Sequence, residues 1–237
     1  ISAHKVDGLN FANTAGFIFR SRQAYDKCNR YVRRGYYIPL HSYYVSSEPS
    51  AYRNDAIKFV WHGQARKHKG IDKIVDAFVG AKKTCPNIEL TLIGSLPDFD
   101  DDKQFANWLQ NDIDKRVKVI LKKYHTQAEL HEHLLAADAF VYADNVDKEQ
   151  SGVVNTAMGY GKPIIVNQSS AFDDSRAWCL STIDCNLSDA MIRIASDNHE
   201  YDYFARRSFE GSRYRDIRLV ARQYRAAIIQ CMIDKGV

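Results

Sequence analysis

The sequence predicts an α/β protein with a doubly wound parallel sheet, covered by helices on both faces. From residue 57 onward, short apolar runs alternate with longer amphipathic segments. Two of the apolar runs end in glycine, at Gly63 and Gly94. Parallel strands need a crossover long enough to hold a helix, and the segments between these runs have that length. This alternation of apolar and amphipathic segments therefore indicates repeated strand–helix units in one sheet.

The first 56 residues do not show this regular alternation of strands and helices. An apolar run at 15–19 precedes the segment 21–32, which predicts a helix with Ser21 as its N-cap. A short strand is expected in the stretch "RGYYIPLHSYYV", and residues 46–56 have the composition of a linker. We therefore predict a linker at 46–56 and the main domain at 57–237.

Within the main domain the elements follow from hydrophobic spacing. The segment 70–86 places Ile71, Ile74 and Phe78 on one helical face, and the pattern after residue 170 is mainly helical, as in a helical C-terminal tail. Strands are predicted at 57–63, 88–94, 117–121, 139–143 and 163–167, and helices at 70–86, 102–114, 126–138 and from Gly152 onward.

The position of the binding site follows from the fold class. In open α/β sheets, ligands bind beyond the carboxyl ends of the strands. The loops that begin at Gly63, Gly94, Lys122 and Asp144 are therefore expected to surround the site.

Composition limits the possible ligands. The chain has 237 residues, 45% of them hydrophobic, and a formal net charge of +4. This balance suits an anionic ligand, and no aromatic-interleaved basic motif of the nucleic-acid-binding type is present. No apolar run approaches the ~20 residues that span a bilayer. Five scattered cysteines suggest reduced thiols and a cytoplasmic protein.

The loop 62–70, "HGQARKHKG", is the first site candidate. It joins a strand to a helix and carries Arg66, Lys67 and Lys69, which could meet a phosphate near the helix N-terminus. Neither the P-loop spacing nor the G-x-G-x-x-G fingerprint occurs here. A solvated basic turn is an equally good interpretation of the loop alone.

The stretch "EQSGVVNTAMGYGKPIIV" (149–166) is the second candidate. If a helix begins near Ser151, the N–H groups of residues 152–154 can bind a diphosphate. The Glu149 carboxylate would then lie beyond the phosphates, where it can accept hydrogen bonds from sugar hydroxyls. A helix-capping role for Glu149 is the alternative.

In this order, the segments resemble the donor-binding C-terminal domain of retaining GT-B glycosyltransferases, particularly glycosyltransferase family 4. The likeness covers roughly residues 15–170. It rests on "IKFVWHGQARKHKGIDKIVDAFVGAKK", "IELTLIG", "TQAELHEHLLAADAFVYA" and "EQSGVVNTAMGYGKPIIV".

The resemblance implies roles for individual residues. Lys69 matches the lysine that contacts the donor diphosphate, and Glu149 matches the first glutamate of the E-x7-E motif, which binds the donor sugar. These two are the expected catalytic residues. The expected donor-binding residues are Gly63, Gln64, Arg66, Gly94, Lys123, Tyr124, Ser151, Gly152, Val153, Val154, Asn155 and Thr156.

Two positions depart from the family pattern. The family arginine falls on Gln64, so Arg66 would have to supply the missing phosphate partner. The second glutamate falls near Thr156 in a segment one residue shorter, so Asn155 or Thr156 would have to bind the ribose. Weakened or altered donor binding is therefore an open alternative.

The resemblance also implies an activity and its partners. The parent protein would transfer a sugar, with retention, from a UDP- or GDP-linked donor to a glycan, lipid or protein, without metal or cofactor. Residues 1–45 would be the end of the N-terminal acceptor domain, without which the chain is expected to be inactive. A peripheral location at the cytoplasmic membrane face and a lipid-linked acceptor are left open.

Two other classes of function are weighed against this one. A non-catalytic nucleotide-sugar-binding or scaffolding domain is favoured by Gln64 and the lost second glutamate. A dinucleotide-dependent oxidoreductase is disfavoured, because no glycine fingerprint follows any predicted strand. Metal binding is not expected, because His131 and His133 would face apart on a helix.

Overall fold

The structure is a computed structural model, which describes residues 14–32, 34–52, 56–96, 103–145, 151–182 and 185–235. The strands are β1 (Phe17–Phe19), β2 (Gly35–Tyr37), β3 (Ile57–Gln64), β4 (Ile88–Ser95), β5 (Val117–Lys122), β6 (Ala139–Tyr142), β7 (Ile164–Val166) and β8 (Leu180–Ser181). The helices are α1 (Arg22–Cys28), α2 (Ile71–Thr84), α3 (Lys103–Asn111), α4 (Gln127–Ala136), α5 (Gly152–Met158), α6 (Asp173–Arg176), α7 (Leu187–Ser196), α8 (Asn198–Arg213) and α9 (Ile217–Lys235).

Six of the described strands form one parallel sheet in the order β5-β4-β3-β6-β7-β8. This confirms the predicted doubly wound α/β fold and its helical C-terminal segment. Between residues 57 and 167 the boundaries move by up to three residues: the helix predicted at 102–114 is Lys103–Asn111, and the strand predicted at 163–167 is Ile164–Val166. The α-helix predicted over 21–32 ends at Cys28.

The core lies on both faces of this sheet. Phe59, Trp61, Phe140 and Tyr142 on the central strands are almost fully buried, as is Phe78 on the predicted apolar face of α2. Strands buried on both faces read as nearly continuous apolar runs, as β6 and β7 do. Among the described residues, no helix has the length and apolar character needed to cross a membrane.

A smaller unit precedes the six-stranded sheet in the chain: β1, α1 and β2, hereafter the N-terminal unit. Its strands pair in parallel, and Ser21 caps α1 by accepting a hydrogen bond from the Ala24 N–H. A two-stranded sheet is marginal in water by itself. Ile38 provides further stabilisation by packing with Val220 and Ala227 of α9 in a separate small core.

The end of α4 is held by a buried lysine. Lys162 is only 8% exposed, and its ammonium donates hydrogen bonds to the carbonyl oxygens of Leu134 (3.1 Å), Leu135 (2.5 Å) and Ala137. The last carbonyls of a helix have no partner within the helix, and a cation satisfies both their hydrogen-bonding capacity and the helix dipole. Lys162 therefore ties the end of α4 to the segment that leads into β7.

Replacing Lys162 by methionine should lower the free energy of unfolding by about 2 kcal/mol or more, because buried carbonyls lose a charged donor. Lys118→Met, at an exposed position of β5, is the matched control and should change stability by less than about 0.5 kcal/mol. Urea unfolding followed by circular dichroism measures both. Equal midpoints for the two variants would contradict the capping role.

Candidate donor-binding site

The candidate site lies where the order of the sheet reverses. β3 pairs with β4 on one side and with β6 on the other, so the connections that follow β3 and β6 leave the sheet on either side of a crevice. A cleft of about 1010 Å³ opens there. Its walls are the carboxyl ends of β3 and β4, the loop after β5, one face of α4 and the start of α5.

The loop after β3 supplies the basic end of the cleft. Gly63, Gln64, Arg66 and Lys69 line it, as the sequence predicts, and a short 3-10 turn at Lys67–Lys69 carries the lysine. The lining also includes His68, which was not among the predicted site residues. The basic side chains therefore face the cleft from one loop.

Gly70 holds this loop against the end of β6. It has φ +60°, in the left-handed region that favours glycine, and a Cβ there would overlap the carbonyl oxygen of Ala143. Next to this contact, the N–H of Asn145 donates to the His68 carbonyl oxygen at 2.8 Å. The loops that follow β3 and β6 are thus joined by backbone contacts.

Lys69 is already engaged in an ion pair. Its Nζ lies 2.9 Å from Oδ2 of Asp144, and the two side chains are 15% and 3% exposed. Asp144 follows β6, where the sequence predicts a site loop, but its carboxylate was not predicted as a partner of Lys69. The sequence feature that could have identified Asp144 as a site residue is its position just after the carboxyl end of a buried strand.

The start of α5 forms the wall near the basic loop. Ser151 has extended N-cap geometry, and Ser151, Gly152, Val153 and Thr156 line the cleft. Val154 and Asn155, which were also predicted to be donor-binding, have side chains buried away from it. Glu149 lies outside the described residues.

The buried side of α5 is tied to the segment that leads out of the N-terminal unit. The side-chain amide of Asn155 donates to the Ser151 carbonyl oxygen at 2.9 Å, and the hydroxyl of Ser42 donates to the Asn155 carbonyl oxygen. Asn155 therefore stabilises the first turn of α5 from behind, and Thr156 is the polar side chain that this part of the helix presents to the cleft.

The opposite wall contains the other predicted residues. Gly94, Lys123 and Tyr124 line the cleft, and Tyr124 is well exposed. His125 follows them, with Nε2 2.9 Å from the Gly94 carbonyl oxygen. Because a carbonyl only accepts, this Nε2 carries the proton. The contact fixes the loop after β5 to the end of β4.

An aromatic cluster that was not predicted completes the cleft. Nδ1 of His131 lies 2.9 Å from the Tyr160 hydroxyl, and the Tyr44 ring packs against both rings at 4.9 and 4.8 Å. Burial, with Tyr44 nearby, raises the pKa of Tyr160 to about 12. The sequence places Tyr44 before the main domain, so local patterns could not assign it to this wall.

His62, on β3, is another ionisable group beside the cleft that the sequence did not predict. Burial lowers its pKa to about 3, and its Nδ1 lies 2.6 Å from the Tyr142 hydroxyl. The ring is therefore neutral at physiological pH and adds no positive charge. The cationic character of the cleft comes from the loop after β3 and from Lys123.

A parallel α/β sheet with this cleft at its switch point and a basic loop facing a helix start has the architecture of a GT-B donor-binding domain. The family described as Glycosyl transferases group 1 matches residues 46–175, more than half of the chain. The chain belongs to this family. A comparison with curated protein sequences finds no significant match.

Solved structures share the fold. HepE of Anabaena, in complex with UDP and glucose, superposes with a TM-score of 0.68 at 13% identity, covering 90% of this chain and 62% of HepE. A UDP-forming α,α-trehalose-phosphate synthase from Burkholderia vietnamiensis gives 0.65 at 10% identity, with 91% and 59% covered. A chain of the GtfA/B complex gives 0.67 at 13% identity, with 92% and 45% covered. The present chain thus spans about half to three-fifths of their lengths.

Gly70→Ala should lower the free energy of unfolding by about 2 kcal/mol or more, because the left-handed backbone is strained for alanine and the methyl meets the Ala143 carbonyl. Gly152→Ala is the control. A Cβ at Gly152 meets no atom within 4 Å, and alanine favours a helix, so its stability should be unchanged or slightly higher. Urea midpoints that agree for both variants would contradict the close approach at Gly70.

Proposed function

We propose that the chain is the donor-binding part of a retaining glycosyltransferase and that it binds a nucleoside diphosphate sugar in the cleft. The observation that carries the proposal is the pairing of the basic loop at Arg66 and Lys69 with the start of α5 across one cleft, in a member of this family. HepE, which shares the fold, is described in complex with UDP-glucose in one structure and with UDP and glucose in another.

The proposed ligand would lie along the cleft in three parts. Its diphosphate would meet Lys69, Arg66 and the N–H groups of residues 152–154. Its base would face Gly94, Lys123 and Tyr124. Because the Asn155 side chain is buried behind α5, Thr156 is the side chain we assign to the ribose.

The chemistry that these groups would support is departure of the nucleoside diphosphate. Negative charge grows on the diphosphate as its bond to the sugar breaks, and fixed cations and N–H groups stabilise that charge. Lys69 would supply the cation without a divalent metal. In this proposal, Glu149 accepts hydrogen bonds from the sugar and orients it for transfer with retention.

We further propose that the acceptor is bound by an N-terminal domain of the parent protein. The N-terminal unit and α9 would be its contact surface: α9 exposes Ile228, Ile229 and Met232, and a groove of about 610 Å³ runs between α9 and Leu40. In this proposal, that domain determines whether the acceptor is a glycan, a lipid-linked molecule or a protein. It also makes any peripheral contact with a membrane. The chain alone is then expected to transfer no sugar.

A second candidate function is nucleotide-sugar binding without catalysis. Thr156 stands near the position of the second family glutamate, and its hydroxyl donates to the Gly152 carbonyl oxygen at 3.2 Å. The hydroxyl can still accept a hydrogen bond from a ribose hydroxyl, but it lacks the charge and the second oxygen of the family glutamate. Release of free sugar or transfer by the full-length protein would favour the enzyme, and donor binding without either would favour this second function.

The chain should bind UDP or GDP in the presence of EDTA, because the cations of the cleft replace a metal. Lys69→Met should weaken binding about tenfold or more, since a charged hydrogen bond to phosphate is lost. Lys67→Met is the matched control: Lys67 sits in the same turn but is exposed outside the cleft, so its loss should have little effect. Isothermal titration calorimetry measures all three proteins.

NAD should not bind in the same titrations. Binding that disappears with EDTA would contradict the metal-free site. Equal losses in Lys67→Met and Lys69→Met would show that only net charge matters. Preferential binding of NAD would overturn the glycosyltransferase proposal itself.

Glu149→Gln should separate sugar recognition from phosphate recognition. If Glu149 binds the sugar, the variant should bind UDP-glucose or GDP-mannose about ten- to a hundredfold more weakly and bind free UDP or GDP almost unchanged. Calorimetry with each pair of ligands gives the ratio. A variant with reduced thermal stability and unchanged affinities would instead assign Glu149 to helix capping.

A further inference from the structure

The Asp144 carboxylate forms an ion pair with the Lys69 ammonium, which is the group that the proposed diphosphate would contact. We infer that Asp144 competes with the bound diphosphate for Lys69, and so weakens the site for the free nucleoside diphosphate more than for the nucleotide sugar. This inference rests on the proposed function. It gives Asp144 the role of a residue that tunes product affinity through Lys69.

The geometry places the carboxylate behind the lysine. Lys69 lines the cleft, whereas Asp144 does not and is almost completely buried. The 2.9 Å contact between Nζ and Oδ2 takes one of the three N–H donors of the ammonium, which leaves others for a ligand. A phosphate that reaches Lys69 therefore meets a cation whose charge is already compensated.

The ion pair is held from both sides. The Asn167 side-chain amide donates to the Asp144 carbonyl oxygen at 2.9 Å, and Asn145 N–H donates to the His68 carbonyl oxygen at 2.8 Å. Lys73 also donates to the side chain of Asn145, at 2.8 Å. These hydrogen bonds hold the backbone beside both charged residues, which keeps the carboxylate and the ammonium close together.

The electrostatic consequence differs between donor and product. A buried carboxylate near the phosphate site repels each negative charge of the ligand, and the low dielectric of the buried pair reduces screening. The terminal phosphate of a free nucleoside diphosphate carries an additional negative charge, because it is not esterified to a sugar. Asp144 thus opposes the product more strongly than the donor and favours its release.

Removal of the carboxylate should tighten binding, a result that structural damage would not produce. In calorimetry on the whole chain, Asp144→Asn should bind UDP or GDP about tenfold more tightly than the unmodified protein, with a smaller gain for UDP-glucose or GDP-mannose. Asp72→Asn, which removes an exposed carboxylate from the first turn of α2, controls for net charge and should have little effect.

The effect should also depend on the lysine. Because Asp144 also compensates the charge of Lys69, Asp144→Asn should tighten diphosphate binding less in a Lys69→Met background than in the unmodified protein, and the double-mutant cycle measures this coupling. Asp144→Ser, a smaller side chain without charge, repeats the test if the asparagine variant folds poorly, and should tighten binding as well.

Two results would overturn the inference while leaving the proposed function intact. One is unchanged or weaker diphosphate binding in both Asp144 variants, which would make Asp144 a residue that only positions Lys69. The other is an equal gain for the free diphosphate and the nucleotide sugar. If no protein in the series binds UDP, GDP or inorganic pyrophosphate, the proposed function fails and the inference fails with it.

Discussion

The pairing of β3 with a different neighbour on each side is the constraint on which the site depends. Because β4 and β6 flank β3, the loops that follow β3 and β6 separate at the carboxyl edge of the sheet, and a crevice must form between them. Gly70 and the Asn145–His68 hydrogen bond then fix the distance between these two loops. The cleft is therefore a consequence of strand order, and its cations lie in the loops after β3 and β5.

The rule that ligands bind at the carboxyl ends of parallel strands explains why the fold and the position of the cleft could be predicted from the sequence. Alternating apolar runs and amphipathic segments fix the elements, and the carboxyl-end rule then places Gly63, Gly94, Lys69 and Gly152 around one cleft. The contacts of Tyr44 and Asp144 could not be predicted in the same way. They are set by side chains that meet across long separations in the chain, as Lys69 and Asp144 do, and local patterns carry no information on such pairs.

The position of Asn155 illustrates the same limit within a single helix. The sequence offers Asn155 and Thr156 as equivalent replacements for the missing glutamate, because both side chains can form hydrogen bonds. On a helix, neighbouring residues point about 100° apart, so only one of them can face the cleft. The burial of Asn155 behind α5 identifies Thr156 as that residue.

The contacts of Asn155 also connect the cleft with the rest of the chain. Ser42, in the segment that follows the N-terminal unit, donates to the backbone of Asn155 and pairs with Asp216 at the start of α9. Tyr44 lies two residues further on and forms part of the cleft wall. One short segment therefore contacts the N-terminal unit, the beginning of α9 and the helix that lines the cleft. The position of this segment and the position of α5 are therefore set together, because Ser42 is hydrogen-bonded to the helix and Tyr44 packs in the wall beside it.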